Sequence, residues 1–177
     1  MSVELEEFSL RHFIPQFREF NSVTKENRTR LEPYFWWARA TAITHIVFIM
    51  SGILAEKLSQ IAHDLPYNKK FIIRQDGKFA GVVGLDDMSQ NSPRTELWIF
   101  VTRECTGQNI ASQAIKLVEE YATQKSIKKI CTRVEYGNWP SRGMLQKNDY
   151  KIYKSRLNRW RGVVEQFWHK KLSDKNY

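Results

Sequence analysis

Residues 95–115, TELWIFVTRECTGQNIASQAI, decide the fold class, because an apolar strand pattern runs through a short glycine-bearing loop directly into an amphipathic helix. Backbone N–H groups in the first turn of a helix have no intrahelical acceptor, and the helix dipole favours an anion at that end. The helix is supported by Ile110, Ala114, Leu117, Val118 and Tyr121, which recur at helical spacing and form one apolar face. Gly107 is the only glycine in the loop. Spacing alone leaves two readings open: a phosphate cradle, or a glycine-turned strand-to-helix connection of the kind any α/β domain contains.

On either side of this stretch, strands and helices follow one another without repeats or low-complexity segments. Residues 3–11 alternate weakly as a first strand, and Pro15 suits the first turn of a helix over about 15–28 with Phe17, Phe20 and Val23 or Thr24 inward. A second helix is expected over about 40–62, its stripe made by Ile43, Ile46, Val47, Met50, Leu54, Leu58 and Ile61 and its end set by Pro66. KKFIIRQ and KFAGVVGL flank Asp76 and Gly77, a pair that supplies the positive φ angles of a tight hairpin turn. The polar stretch DDMSQNSP reads as a loop before the strand ELWIFVT. Beyond the glycine-loop helix come a strand, KKICTRVEY, a short helix, NWPSRGMLQK, and a terminal hairpin of YKIYKSRLNRW with VVEQFWHKKL turning near Gly162. This order predicts one domain over residues 1–177, a mixed, largely antiparallel central sheet flanked by helices.

Charge is unevenly placed. Residues 125–177 hold 14 Lys or Arg against 4 Asp or Glu, a net +10, whereas residues 1–124 hold 14 against 15, a net −1. Such a surface suits a polyanion, a nucleic acid or a ribosomal neighbourhood, or is a solvated basic face with no dedicated partner. Tyr153, Trp160, Phe167 and Trp168 lie among these cations, but strand alternation places much of that set inside the hairpin's core. The longest apolar run, residues 42–54, is too short to span a bilayer and reads as a buried helix. MSVELEEF is acidic and shows no secretory signal, so a cytoplasmic protein with no membrane partner is expected. Cys105 and Cys131 have no metal-ligand spacing and are read as reduced, and no metal site is expected. His12, His45, His63 and His169 are scattered; His45 sits in the apolar helix as a core histidine. Oligomeric state is not legible.

TGQNIASQAI resembles the coenzyme loop of the GCN5-related N-acetyltransferases (GNAT), whose pattern is Gln or Arg, any two residues, Gly, any one, then Gly or Ala. Thr106, Asn109 and Ala111 stand at the defining positions, the first two as departures, and Gly107 occupies a flexible position where the family often carries another glycine. VEYGNWPSRGMLQKNDYK is similar to the family's second signature through Asn138, Ser141 and Tyr150. LEPYFWWA at 31–38 and FAGVVGLDDM at 79–88 resemble the branch of Rim-type (RimJ/RimL-like) ribosomal-protein N-terminal acetyltransferases. The likeness extends along most of the chain in the expected order.

What the resemblance implies is a GNAT-like α/β fold and acetyl-CoA-dependent N-acetylation of a primary amine by direct transfer in a ternary complex. The pyrophosphate would lie on the backbone of Gln108, Asn109, Ile110 and Ala111, with the Thr106 and Ser112 hydroxyls and Gly107 beside it. Phe100, Val101 and Thr102 would offer backbone groups to the pantetheine arm, Asn138 would touch the coenzyme, and Arg142 and Lys147 would meet the adenosine phosphates or belong to a solvated face. Asparagine at 109 tolerates left-handed backbone angles better than most residues. Ser141 would protonate the departing thiolate, since the family's usual tyrosine position is Leu145 here; capping the short helix is its other reading, and Asn138 shares it. Glu96 is read as the base from its own strand rather than from the resemblance, because it shares a face with Trp98 and Phe100 where partial burial would raise its carboxyl; an exposed strand-end glutamate is the alternative. Trp36 and Trp37 would wall the acceptor site or belong to the core. The leading acceptor is a protein N-terminal α-amine of ribosomal type. A small-molecule amine such as an antibiotic or polyamine, and a non-catalytic RNA- or ribosome-binding module on the same fold, are the competing readings.

Overall fold

The computed structural model describes residues 2–9, 11–26, 42–59, 67–88 and 93–172. Trp36, Trp37, the LEPYFWWA segment, Ile61, His63 and Pro66 lie outside the described residues, as do the side chains of Thr24, Ile43 and His45. The elements are β1 (Val3–Glu7), α1 (Phe13–Glu26), α2 (Ala42–Ser59), β2 (Tyr67–Gln75), β3 (Lys78–Met88), β4 (Arg94–Val101), α3 (Ile110–Gln124), β5 (Lys129–Glu135), α4 (Trp139–Lys147), β6 (Lys151–Asn158) and β7 (Val163–Lys171). The strands form one sheet in the order β1-β2-β3-β4-β5-β7-β6. Every neighbouring pair is antiparallel except β4 and β5. The mixed, largely antiparallel α/β sheet predicted from the sequence is the sheet observed.

Strand alternation sorts the apolar residues onto two faces. Phe71, Ile73, Val83, Leu85 and Leu97 meet Ile110, Ala114, Ile115, Val118 and Ala122 of α3 on one face, with Leu145 of α4 and Trp168 of β7 in the same cluster. On the other face Ile72, Val82 and Phe100 pack with Phe8, Phe20 of α1 and Ile49 of α2. The β2–β3 turn has Asp76 at φ 48° and Gly77 at φ 78°, the left-handed pair expected of a two-residue hairpin.

Two expectations are corrected. Val47, Leu54 and Leu58 of α2 are exposed, at 58%, 58% and 45%, so the predicted stripe is not the buried one. The helix instead turns Ile49, Gly52, Ile53 and Glu56 toward the sheet. Gly52 allows close approach, since a Cβ there would stand 2.6 Å from the Lys70 Nζ and 3.3 Å from the Asn68 carbonyl oxygen. Glu56 fixes the rotation by accepting from the buried Lys69 ammonium at 2.7 Å, which also donates to Glu7 of β1 at 2.7 Å. A buried ammonium left without those carboxylates would cost several kcal/mol, whereas exposing a leucine costs about 1.5–3. The second correction concerns the terminal hairpin. Trp168 is buried and Phe167 half-buried, but Tyr153 is 53% and Trp160 99% exposed, because β6 is the outermost strand and only its inner edge is covered, by β7.

The rotation of α2 predicts unequal costs along one helix. Ile49→Ala should lose about 2–5 kcal/mol of unfolding free energy in a urea titration. Leu54→Ala should stay within about 0.5 kcal/mol of the parent. Equal losses would mean that the stripe read from the sequence is the buried one.

Candidate active site

The one parallel pair of the sheet is also its shortest ladder. β4 and β5 register only at Arg94↔Lys129, Thr95↔Ile130 and Glu96↔Cys131. Beyond that point β4 follows β3 as far as Val101↔Gly81, and β5 follows β7 as far as Glu135↔Glu165. Each strand is held by its outer neighbour, so the two separate and a cleft opens between them. Its cavity of ≈ 900 Å³ is lined by Leu97 to Val101 on one side and Thr132 to Glu135 on the other. The α3 end of the cleft is closed by Thr106, Gly107, Asn109, Ile110, Ala111 and Ser112, and the α4 side by Asn138, Ser141, Met144 and Lys147.

The loop end has the geometry of an anion cradle. Gly107 has φ 82° and Asn109, the N-cap of α3, has φ 62°. Asn109 makes no side-chain cap, so the first amides of α3 are not closed off by it. The turn is braced from behind, where the Thr106 hydroxyl donates to the Thr102 carbonyl at 3.1 Å and the Thr102 amide donates to the Ala80 carbonyl at 2.8 Å. A Cβ built on Gly107, Gly137 or Gly143 meets nothing within 4 Å, so the wall carries room for a ligand at all three. Uncapped helical amides, two left-handed residues and open space suit a pyrophosphate, and these residues therefore fit the phosphate end of coenzyme A.

Not every residue expected at this end faces the cleft. Gln108 donates from Nε2 to the Glu104 carbonyl at 2.7 Å and accepts from Gln75 at 3.2 Å, outside the lining. Thr102 is buried behind the turn. The Arg142 guanidinium lies 4.4 Å from the Tyr136 ring centroid and 4.2 Å from that of Trp139, and donates to the Tyr136 carbonyl at 2.9 Å. That stack and hydrogen bond hold the guanidinium against the two rings. The Ser112 hydroxyl lines the cleft while accepting from Asn148 Nδ2 at 3.0 Å, and Lys147 lines it from α4.

At the other end, Asn138 caps α4: its Oδ1 accepts from the Ser141 amide at 3.2 Å. The Ser141 side chain is half-buried and lines the cleft, and Leu145 one turn on is buried in the core. Capping thus uses the Ser141 backbone and leaves its hydroxyl for other work. Glu96 and Asp86 stand directly opposite each other on β4 and β3, and both line the cleft. Glu96 is exposed on its strand, as its alternative reading had it, and the partial desolvation it meets beside the cleft raises its carboxyl above its ordinary range; the Arg133 guanidinium opposes the rise, and the Asp86 and Asp87 charges add to it. Burial raises Asp86 as well, against the Trp98 indole hydrogen bond and the Lys70 ammonium. Lys70 in turn is pushed down to about 8 by burial, with Asp86 opposing. Gly84 makes this arrangement possible, because a Cβ there would stand 2.3 Å from the Trp98 ring.

Asp86 was not among the residues anticipated from the sequence. DDMSQNSP reads as a loop, yet β3 continues through Met88 and pairs Asp86 with Glu96. The signal that could have found it is register: in a hairpin of known turn, the strand partner of a candidate base is fixed by counting. Among the described residues no group of three or more His, Cys, Asp or Glu is arranged to hold a metal ion, and no helix is long and apolar enough to cross a membrane.

Comparison with known proteins places this geometry. No curated protein matches the chain in sequence. Among solved structures the chain is similar to RimL, a ribosomal L7/L12 α-N-protein acetyltransferase in complex with coenzyme A, with a TM-score of 0.81, 15% identity, and coverage of 99% of this chain and 97% of that one. It is similar to the microcin C7 self-immunity acetyltransferase MccE in complex with acetyl-CoA and AMP, with a TM-score of 0.77, 16% identity, and coverage of 96% and 92%. It is also similar to the spermidine N-acetyltransferase of Vibrio cholerae with coenzyme A and spermine, with a TM-score of 0.73, 13% identity, and coverage of 97% and 96%. At these identities the structures establish the fold. The acetyltransferase (GNAT) domain matches residues 10–151, which take in the glycine-bearing loop, both walls of the cleft and the carboxylate pair, and the chain belongs to that family as an acetyl-CoA-dependent N-acetyltransferase.

Proposed function

We propose that residues 1–177 act as one cytoplasmic catalytic domain of the Rim-type branch, acetylating a protein N-terminal α-amine of ribosomal type by direct transfer in a ternary complex. The observation that carries this reading is the Glu96–Asp86 pair where β4 and β5 part. In their ionised form the two carboxylates attract an ammonium, and their raised affinity for protons favours taking a proton from it. An α-ammonium, with a pKa of about 8, suits so modest a base; a side-chain or polyamine ammonium near 10.4 would need about 3 kcal/mol more. Arg133, which also lines the cleft, opposes a polycation.

Acetyl-CoA supplies the activated acetyl thioester. The chain's part is to hold the pyrophosphate on the amides of Asn109, Ile110 and Ala111, to align the pantetheine arm along Phe100 and Val101, and to receive the ammonium proton on a Glu96 carboxylate oxygen. Ser141 Oγ–H would pass its proton to the sulfur as the C–S bond breaks and take in its place the proton that the attacking nitrogen loses as the amide bond forms, so that the serine ends as a hydroxyl beside the free thiol. Asn138, by capping α4, positions Ser141.

The coenzyme end is tested by backbone conformation. Asn109→Gly should bind acetyl-CoA as well as the parent, whereas Asn109→Val and Gly107→Val, each forcing a branched residue into a left-handed position, should bind roughly 5–30-fold more weakly. Calorimetric titration and the acetyl-CoA-induced rise in Tm report this. Unchanged affinity in folded valine variants would remove the loop from the site.

Ser141→Ala keeps the backbone amide that the cap uses, so α4 should stay intact while kcat falls about 100-fold and acetyl-CoA affinity holds. Wild-type turnover would sink the role.

Glu96 is tested through pH. Its active, deprotonated form is populated above its raised pKa, so kcat/KM on an N-terminal peptide should fall as pH drops through that value, and Glu96→Gln should be slow with a flattened acid limb. The stability consequence has the opposite sign to that of a salt-bridged carboxylate. A carboxyl raised on folding contributes most below its unfolded pKa and loses that contribution as pH rises through the folded value. Glu96→Gln should therefore be as stable as the parent, or more so, at neutral pH. An acid limb that survives in Glu96→Gln assigns the base elsewhere.

A further inference from the structure

The rows of the sheet carry the carboxylate end of the cleft onto an open cationic face. Directly paired residues share a face. The row through Asp86 and Glu96 continues to Cys131 on β5, His169 on β7 and Lys151 on β6. The next row holds Arg133, Phe167 and Lys154, and the one beyond it Glu135, Glu165 and Arg156. α1 and α2 cover this face over β2, β3 and β4, where Ile72, Val82 and Phe100 lie. Over β5, β7 and β6 the side chains of Arg133, Lys151, Lys154 and Arg156 remain exposed.

The charges of this face are one-sided. Glu135 is taken by Arg161, and Glu165, only 3% exposed, accepts from Asn158 at 3.1 Å and lies 3.9 Å from Arg133. Among the described residues the acids sharing these rows are Glu135 and Glu165, both already engaged, and Asp86 and Glu96 at the cleft end of the row that ends in Lys151. Lys154 and Arg156 each lie 6.0 Å from the Phe167 ring centroid, and Tyr153, placed by the bulge between Ile152 and Lys154, packs 6.3 Å from the same ring and 5.1 Å from His169. The cations are therefore presented on an aromatic bed. A second copy pairing edge to edge through β6 would set Lys151, Lys154 and Arg156 against their own equivalents, which like-charge repulsion disfavours.

We propose that this face binds the acceptor's own N-terminal segment, and that the segment is acidic. With its α-amine at Glu96 and Asp86, the chain that follows runs along the rows across β5 and β7 to β6, where carboxylates in roughly its first six residues meet Lys151, Lys154 and Arg156; an extended strand advances about 3.3 Å per residue and neighbouring sheet strands lie about 4.8 Å apart. This rests on the α-amine reading of the acceptor. Electrostatic selection of this kind acts on encounter and binding, so it belongs in KM and weakens with salt.

The test uses three peptides with the same N-terminal dipeptide and a free α-amine, followed by four Asp, four Gln or four Lys. At low salt the acidic peptide should show a KM roughly tenfold below that of the Gln peptide, with kcat unchanged, and the Lys peptide a KM higher again; about 150 mM salt should shrink the spread. K151E/K154E/R156E should keep its kcat on the Gln peptide and reverse the order, preferring Lys over Asp, an outcome that a misfolded variant cannot produce. If all three peptides are acetylated alike by the parent, this face does not read the acceptor, while the α-amine reading stands. If none is acetylated but spermidine is, the α-amine reading fails and this proposal falls with it. If a short single-stranded RNA binds the parent, K151E/K154E/R156E abolishes that binding, and the peptides are not discriminated, the face serves nucleic acid and the proposal is overturned.

Discussion

Everything specific to this site follows from one pairing that stops early. A parallel ladder is slightly weaker per residue than an antiparallel one, and here it competes on both sides with antiparallel partners. β4 keeps β3 over Asp86↔Glu96 to Gly81↔Val101, and β5 keeps β7 over its whole length, so after Glu96 and Cys131 the shared edge is surrendered. Gly81 shows how closely β4 is drawn to β3, since a Cβ there would stand 2.2 Å from the Phe100 carbonyl oxygen. The opening widens toward the C-terminal end of β4, where the chain must turn into α3. The same divergence that makes the cleft thus delivers the helix N-terminus to its mouth.

That coupling explains why the departures from the family loop at Thr106 and Asn109 are compatible with a cradle. The loop needs left-handed backbone at two points and amides facing the ligand. Gly107 supplies the first point at φ 82° and Asn109 the second at φ 62°, so the conformation normally reserved for glycine is present without it. The Asn109 side chain does not turn back to cap α3, which would have placed a competing acceptor on the same amides. Thr106 lines the opening and gives its hydroxyl to the Thr102 carbonyl, which braces the turn.

Most of the architecture was legible because it is local. Alternation, helical spacing and the Asp76-Gly77 turn each depend on neighbours in sequence, and the elements fall within a few residues of their expected bounds. What was not legible depends on partners far along the chain. α2 is apolar nearly all round, so its stripe is ambiguous, and its rotation is chosen by Gly52 over β2 and by Glu56 reaching Lys69. β6 was read into the core of the terminal hairpin but is an edge, and the Ile152, Tyr153 and Leu157 side chains within residues 151–158 do not announce it. Asp86 needed the register of a hairpin whose loop looked polar, and Arg142 needed the two rings it lies against. In the site, the coenzyme loop and the Asn138–Ser141 turn were readable as motifs, while the carboxylate pair was readable only as a pairing.

The carboxylate pair also carries a thermodynamic argument about purpose. Asp86 Oδ1 is buried with no hydrogen-bond partner among the described residues, and desolvation raises both carboxyls, Asp86 from a half-buried position and Glu96 from an exposed one. Lys70, pushed the other way, lies close enough to lower Asp86 but not enough to cancel its desolvation. A structural ion pair would settle the opposite way, with the acid depressed and the base raised, as Lys69 is by Glu56 and Glu7 one residue away on β2 despite its own burial. Lys69 and Lys70 point to opposite faces of one strand, and the raised carboxyls lie on the Lys70 face, where the proposed reaction would have them take a proton. An incoming ammonium would relieve that imbalance by supplying the missing charge, so binding of the amine and its deprotonation draw on the same two residues.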